Sequence, residues 1–262
     1  CNTIIRPSMT ENEIIKSIMQ IALELTSESE PKWQYAASKL YIFNLYKEIN
    51  KNRGLDNNEK PYNNFYGFIA DMTDKNLYGK YILENYSREQ INELEKEIKP
   101  ERDFLFTYSG IDLLAKRYLI QDYNRNILEL PQQMFMGIAM HLAIPEPEEN
   151  RVKWAKQFYD VLSSLKATMA TPTMSNARKP FYQLSSCFID TVNDSLKGIY
   201  KSLDNFSEVS KFGGGMGIYI GKVRALGSSI RGFKGAAGGI IPWIKLFNDT
   251  AIAVDQLGVR NG

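Results

Sequence analysis

The body of the chain contains one cysteine, Cys187, in "QLSSCFI"; the other cysteine is Cys1. A thiol in such a run is either a small apolar residue packed on a strand or a group that does chemistry and therefore needs a partner. Two cysteines, one of them first in the chain, build neither a disulfide framework nor a cysteine-rich zinc site, and they fit a reducing cytosol. The single histidine, His141, lies in "MFMGIAMHLAI" among apolar residues at helical spacing. That pattern makes it a packed helix residue and leaves serine–histidine catalysis without support.

A second chemically capable stretch is "FGGGMGIYIGKVRALGSSIRGFKGAAGG", residues 212–239. It fails both stock phosphate patterns. A Walker A loop ending at Gly221-Lys222 needs glycine where Met216 stands and Ser or Thr where Val223 stands, and no G-x-G-x-x-G spacing occurs. From Gly213 through Asn248, however, there is no acidic residue, while Lys222, Arg224, Arg231, Lys234 and Lys245 are basic. Arginine forks bind phosphate oxygens, and glycines let backbone N–H groups approach an anion. Asp194 and Ser195 open the helix pattern just upstream, where Asp194 can cap the turn or accept from a sugar hydroxyl. On residue types alone, an anion site and a surface loop with solvated charges both remain open.

The elements that must position these groups change character along the chain. "TENEIIKSIMQIALEL", "EPKWQYAASKLYIFNLYKEINKNRG", "SREQINELEKEI", "SGIDLLAKRYLI", "PQQMFMGIAMHLAI" and "EENRVKWAKQFYDVLSSLKATMA" read as helices ending near Ala170. Two of them open with capping boxes, Thr10 with Glu13 and Ser87 with Gln90. After a turn at Thr171, "QLSSCFI" and "GIYIGKVRAL" are strand candidates, each followed by a helix pattern, which implies a parallel α/β arrangement. The 262 residues suit one or two domains. With 32 basic and 30 acidic side chains the net charge is +2, so no overall field selects nucleic acid or membrane. The sequence contains no apolar run of roughly 20 residues and no signal-peptide pattern, and the expectation is a cytoplasmic protein.

Three stretches, in order, resemble consecutive blocks of the large, catalytic subunit of class I ribonucleotide reductase: "ATPTMSNARKPFYQLSSCFI", "FGGGMGIYIGKVRALGSSIRG" and "GGIIPWIKLFNDTAIAVDQLGVRNG". "EPKWQYAASKLYIFNLY" and "RDFLFTYSGIDLLAKRYLI" resemble that subunit's helical domain. The resemblance implies a mainly helical N-terminal domain followed by the first strand–helix units of a ten-stranded α/β barrel. Residues 1–50 would be the end of an ATP-binding cone merging into the helical domain, 51–182 that domain, and 183–262 the start of the barrel.

The activity implied is reduction of ribonucleoside diphosphates to deoxyribonucleotides for DNA synthesis, by a cysteine thiyl radical and a reducing cysteine pair. Cys187 matches the first of that pair. Thr171 and Ser186 match residues holding the substrate's diphosphate and ribose, and Gly215 a backbone contact to substrate. Asp194, Ser195, Leu196, Arg224 and Arg231 match the specificity site for a deoxynucleoside triphosphate, the two arginines reaching the phosphates from a folded-back loop. Glu11 and Lys47 match a remnant of the ATP-binding activity site, although a solvated Lys47 is the plainer reading.

The family's partners are a metal-containing small subunit that supplies the radical, a thioredoxin- or glutaredoxin-type reductant, and a second large subunit, with dNTP and ATP as effectors. No metal site of its own, no membrane and no nucleic acid are expected. The family's radical cysteine and the partner of Cys187 fall beyond "VRNG", so the chain alone is expected to be inactive. A barrel stopped after about two strands leaves open edges, which the rest of the subunit should cover. The rival readings are a non-catalytic nucleotide-binding regulatory fragment and, from the glycine–arginine loop, an RNA-binding scaffold with steep salt dependence.

Overall fold

Thr10 and Ser87 start helices by the same local device. The Thr10 hydroxyl accepts from the Glu13 N–H at 3.3 Å, and the Glu13 carboxylate takes the Thr10 N–H at 2.8 Å. Ser87 and Gln90 exchange the equivalent bonds at 3.3 and 2.9 Å. Each pair satisfies two N–H groups that a helix start would otherwise leave orphaned. The computed structural model describes residues 8–56 and 60–254.

Within them the order begins α1 (Glu11–Glu24), α2 (Trp33–Arg53), α3 (Phe65–Asp74), α4 (Tyr81–Asn85) and α5 (Arg88–Glu95). A 3₁₀ turn (Pro100–Leu105), α6 (Tyr108–Arg117), α7 (Pro131–Ala143) and α8 (Glu148–Ser163) follow. Next come α9 (Thr171–Asn176), β1 (Cys187–Thr191), α10 (Leu196–Lys211), β2 (Gly215–Tyr219) and α11 (Ile241–Ala253). The chain divides into two units, one of residues 1–169 with 174–182, the other of residues 170–173 with 183–262.

The helical unit is built around α7, which is apolar nearly all round and buried nearly all round, Met134 through Met140 included. A helix of that composition belongs in a core. It packs against α8, which presents Ala155, Tyr159 and Leu162. His141 is buried on α7 with Nδ1 2.8 Å from the Tyr81 hydroxyl. Desolvation lowers its imidazole to about 4, so it is neutral at pH 7 and acts as a packed helix residue.

Two buried polar networks tie distant segments of this unit together. The fully buried Asp103 carboxylate accepts from the hydroxyls of Tyr46 and Tyr62 and from Gln132 Nε2 at 2.8 Å. Arg178, also fully buried, donates Nε to Glu129 at 2.7 Å and pairs through Nη2 with the other Glu129 oxygen. It further donates to the carbonyls of Met174 at 2.9 Å and Tyr118 at 2.8 Å, while Tyr78 donates to Glu129 at 2.7 Å. Gly137 makes room for this arrangement: a Cβ there would meet Tyr78 Oη at 2.7 Å and Arg178 Cδ at 2.9 Å.

The helical pattern read as running to Ala170 stops at Ser163, and Thr171, read as a turn residue, instead opens the short helix α9. Pro172 falls just inside α9, where its fixed φ and missing N–H suit a helix start better than an exit. The short helices α3 and α4 carry too few periods to stand out in the sequence. The left-handed Asn64 caps α3, its side chain accepting from the Gly67 N–H at 3.0 Å.

In the second unit β1 and β2 pair in parallel, Cys187 opposite Gly215 and Thr191 opposite Tyr219. Parallel neighbours need a crossover, and α10 supplies it. One sheet face, with Phe188, Met216 and Ile218 half-buried, turns towards a small core of Val192, Ile199, Val223 and Phe247. Only these two strands of the expected barrel are present among the described residues, so the fold is an all-helical region followed by the start of a barrel. Among the described residues no helix is long and apolar enough to cross a membrane.

Two outcomes test the networks. Burial pushes the Asp103 carboxyl from 3.8 up to about 6, against the three hydrogen bonds that favour the ion. A raised carboxyl stabilises the fold below the unfolded value, and the contribution is lost as pH rises through the folded one. Relative to Asp103→Asn, the native chain should therefore lose on the order of 3 kcal/mol between pH 4 and 7 in urea titrations; the opposite slope would refute it. Arg178→Met strands the Glu129 carboxylate and should cost about 3–5 kcal/mol by denaturation, with Glu129→Leu added to it recovering much of the loss.

Candidate functional site

Because the strands are parallel, their carboxyl ends lie side by side, and in α/β folds that end is where ligands bind. The Val192 N–H extends the ladder by bonding the Tyr219 carbonyl at 3.0 Å. Just beyond, the chain turns through Asn193 and Asp194 into α10. Ser195, not Asp194, caps that helix, accepting from the Gly198 N–H at 3.0 Å. The Asp194 carboxylate is thus left for Arg224, which follows β2: Nε lies 2.9 and 3.1 Å from its two oxygens.

After Arg224 the glycine-rich stretch folds back on itself. Gly227 N–H bonds the Ala237 carbonyl at 2.9 Å, Ala237 N–H bonds Ser228 at 3.1 Å, and Ile230 and Phe233 exchange two bonds at 3.0 and 2.9 Å. Gly227, Gly232 and Gly235 adopt φ of +80°, +88° and +75°, a conformation that costs glycine little. The resulting cavity, about 280 Å³, is lined by Asp194, Ser195 and Arg224 at its polar side, with Leu196 beside them. Ile199, Val223, Ile230 and Trp243 form apolar wall. It lies just below the usual range of ligand sites, roughly 300–1,000 Å³, so it can hold part of a small-molecule ligand with the remainder reaching outward.

Four of the five residues read from the sequence as an effector group therefore share one cavity. The fifth, Arg231, stands exposed at the tip of the folded-back loop with φ +51° and does not line it. Trp243 and Ile230 were not singled out from the sequence, since their place in the wall depends on how α11 and the loop pack.

A second group lies on the other sheet face. Cys187 is exposed there, Ile189 is 88% exposed, and Gly215, Gly217 and Tyr219 line the facing strand. Ser186 Oγ is 3.5 Å from Cys187 Sγ, and the Gly215 N–H bonds the Ser186 carbonyl at 2.8 Å. Thr171 belongs to the same unit, and Thr173, two residues on, donates its hydroxyl to the Leu184 carbonyl at 3.1 Å. The structure thus gathers Ser186, Cys187 and Gly215 directly and ties the segment of Thr171 to the lead-in of the same strand. In the helical unit, Glu11 and Lys47 pair with each other at 2.5 Å on the surface. Lys47 also borders a shallow cleft of about 300 Å³ with Asn12, Lys16, Asn44, Glu48 and Lys51.

A helical region is followed in the chain by a parallel strand–helix–strand unit, with a thiol on one sheet face and a charged cavity at the strand ends, which is how an α/β domain begins. Residues 104–182 match the family model for the ribonucleotide reductase all-alpha domain, and residues 185–262 that for its barrel domain. The chain is 52% identical over 252 residues to the ribonucleoside-diphosphate reductase subunit alpha of Treponema pallidum, covering 96% of this chain and 29% of that protein. The Helicobacter pylori (strain 26695) subunit alpha is 41% identical over 98% of the chain and 31% of its own length. The subunit alpha of Escherichia coli reductase 1 is 32% identical over 96% of the chain and 32% of its length. The chain belongs to the ribonucleotide reductase large-subunit family, and it spans 29% to 32% of the length of these relatives.

The two glycines at the start of β2 differ in how closely they are packed. A Cβ on Gly214 would meet Phe188 Cε2 at 2.7 Å and Val209 Cγ1 at 2.8 Å, whereas one on Gly215 would meet only the Ser186 carbonyl oxygen at 3.5 Å. Gly214→Val should therefore destabilise the fold by about 1–3 kcal/mol, and Gly215→Ala should leave the denaturation midpoint nearly unchanged. Equal losses for both would contradict the packing described.

Proposed function

We propose that this chain forms part of the large subunit of a ribonucleoside-diphosphate reductase, contributing an effector cavity, part of the substrate site and one redox thiol. The observation that carries the reading is the convergence of Asp194, Ser195, Leu196 and Arg224 in one cavity while Cys187 lies on the opposite, open sheet face beside Ser186 and Gly215. A deoxynucleoside triphosphate fits the cavity's chemistry: a cation for phosphate, an acceptor for a sugar hydroxyl and an apolar wall for a base. A ribonucleoside diphosphate is the substrate for the open face, with Thr171 towards its phosphates and Ser186 towards its ribose.

The redox role of Cys187 is what the family resemblance implies, and the stoichiometry of the reaction is consistent with it. Replacing a ribose C2′–OH by C2′–H and releasing water takes two electrons and two protons, and two thiols closing to a disulfide supply both. Cys187 is one of these thiols, and the second comes from the portion of the subunit that this chain does not span. A thioredoxin- or glutaredoxin-type protein then restores the pair, and a separate metal-containing small subunit supplies the radical. Leu196, Tyr200, Ile244 and Ile252, which α10 and α11 leave exposed, support contact with a second large subunit.

In the full-length subunit with its small subunit and a thioredoxin system, Cys187→Ser should abolish multiple turnover, read as deoxynucleotide formed per subunit. Binding of a deoxynucleoside triphosphate should survive the change, since the thiol and the cavity lie at opposite ends of the strands. Unimpaired turnover in the variant would exclude Cys187 from the reducing pair.

A further inference from the structure

In the effector cavity, the two groups that would meet a nucleotide already meet each other. Beyond the Nε contacts, the Arg224 backbone N–H donates to Asp194 Oδ1 at 3.3 Å, and Arg224 Nη1 donates to the Ser229 carbonyl at 3.1 Å. Among the described residues these are the only charged side chains lining the cavity, and they neutralise one another across its polar side. Both remain about one-third exposed, 36% for Arg224 and 34% for Asp194, so water and a ligand can reach them.

A phosphate group that takes the Nε–Nη2 edge of Arg224 must displace Asp194 from Nε. A bare polyphosphate then leaves an unpaired carboxylate beside its own negative charge, which is costly. A nucleoside triphosphate makes the same exchange but carries a sugar hydroxyl that can donate to the freed carboxylate. We infer that the Asp194–Arg224 pair is a specificity filter, which makes the cavity select nucleoside triphosphates over inorganic polyphosphates by charging an anion for the carboxylate it uncovers. The inference rests on reading the cavity as an effector site. It adds that Asp194 acts against wrong ligands as well as towards the right one.

The test is calorimetric titration of the full-length subunit with inorganic tripolyphosphate and, separately, with dATP and dTTP. Asp194→Asn should bind tripolyphosphate about five- to tenfold more tightly than the native protein, the scale of a partly exposed ion pair plus removal of one facing charge. It should not bind the deoxynucleotides more tightly, so the preference for nucleotide collapses. Asp190→Asn, which removes a carboxylate that hydrogen-bonds the Thr191 N–H at 2.7 Å, should leave tripolyphosphate affinity within about twofold. An unchanged tripolyphosphate affinity in Asp194→Asn, or an equal gain in Asp190→Asn, overturns the filter while leaving nucleotide binding intact. Native protein that binds neither deoxynucleotide would instead remove the effector reading, and the filter with it.

Discussion

Two parallel strands can be joined only by a crossover, and a single crossover helix covers only one sheet face. That constraint organises the second unit. With α10 over Phe188, Met216 and Ile218, the face bearing Cys187, Ile189, Gly215 and Gly217 is left open. The same pairing sets the carboxyl ends of β1 and β2 side by side, so Asp194 and Arg224, thirty residues apart, come into hydrogen-bonding contact. The thiol site and the charged cavity thus lie at two ends of one ladder and are both positioned by its register.

The helical unit solves a different problem with a different device. Its central helix α7 is apolar nearly all round and buried, so segments packed on it are not held in register by a polar outer face. Buried polar groups do this instead: Asp103 gathers side chains from α2, the stretch before α3 and α7, and Arg178 gathers Glu129, Met174 and Tyr118. Such networks stabilise only when complete, because each member left alone is a desolvated charge or dipole. Gly137 illustrates the tolerance involved, since one added methyl would push into both Tyr78 and Arg178.

Features that depend on neighbouring residues were legible in the sequence. The capping boxes at Thr10 and Ser87 and the left-handed stop at Gly54 form as their residue types require. The folding back of the chain after Arg224 was legible for the same reason, because Gly227, Gly232 and Gly235 take left-handed φ. What depends on distant packing was not. "QLSSCFI" suggested a strand over 183–189, but pairing with β2 begins only at Cys187 and runs on to Thr191. The second strand was read too far along, since after Tyr219 the chain leaves the ladder to carry Val223 into the core and Arg224 to Asp194. Asp194 looked equally able to cap α10, and only the position of Arg224 shows why Ser195 takes that place. Trp243 gave no local signal at all, because it reaches the cavity through the packing of α11.

The most direct measurement is a crystal structure of the full-length subunit soaked with a ribonucleoside diphosphate and a deoxynucleoside triphosphate together. The expected result is the triphosphate in the cavity of Asp194, Ser195 and Trp243, with Arg224 turned from the carboxylate onto phosphate. The diphosphate should lie across the Cys187–Gly215 face with its ribose beside the sulfur. A diphosphate bound away from that face, or a triphosphate that leaves the cavity at the carboxyl ends of β1 and β2 empty, would contradict the assignment of both sites.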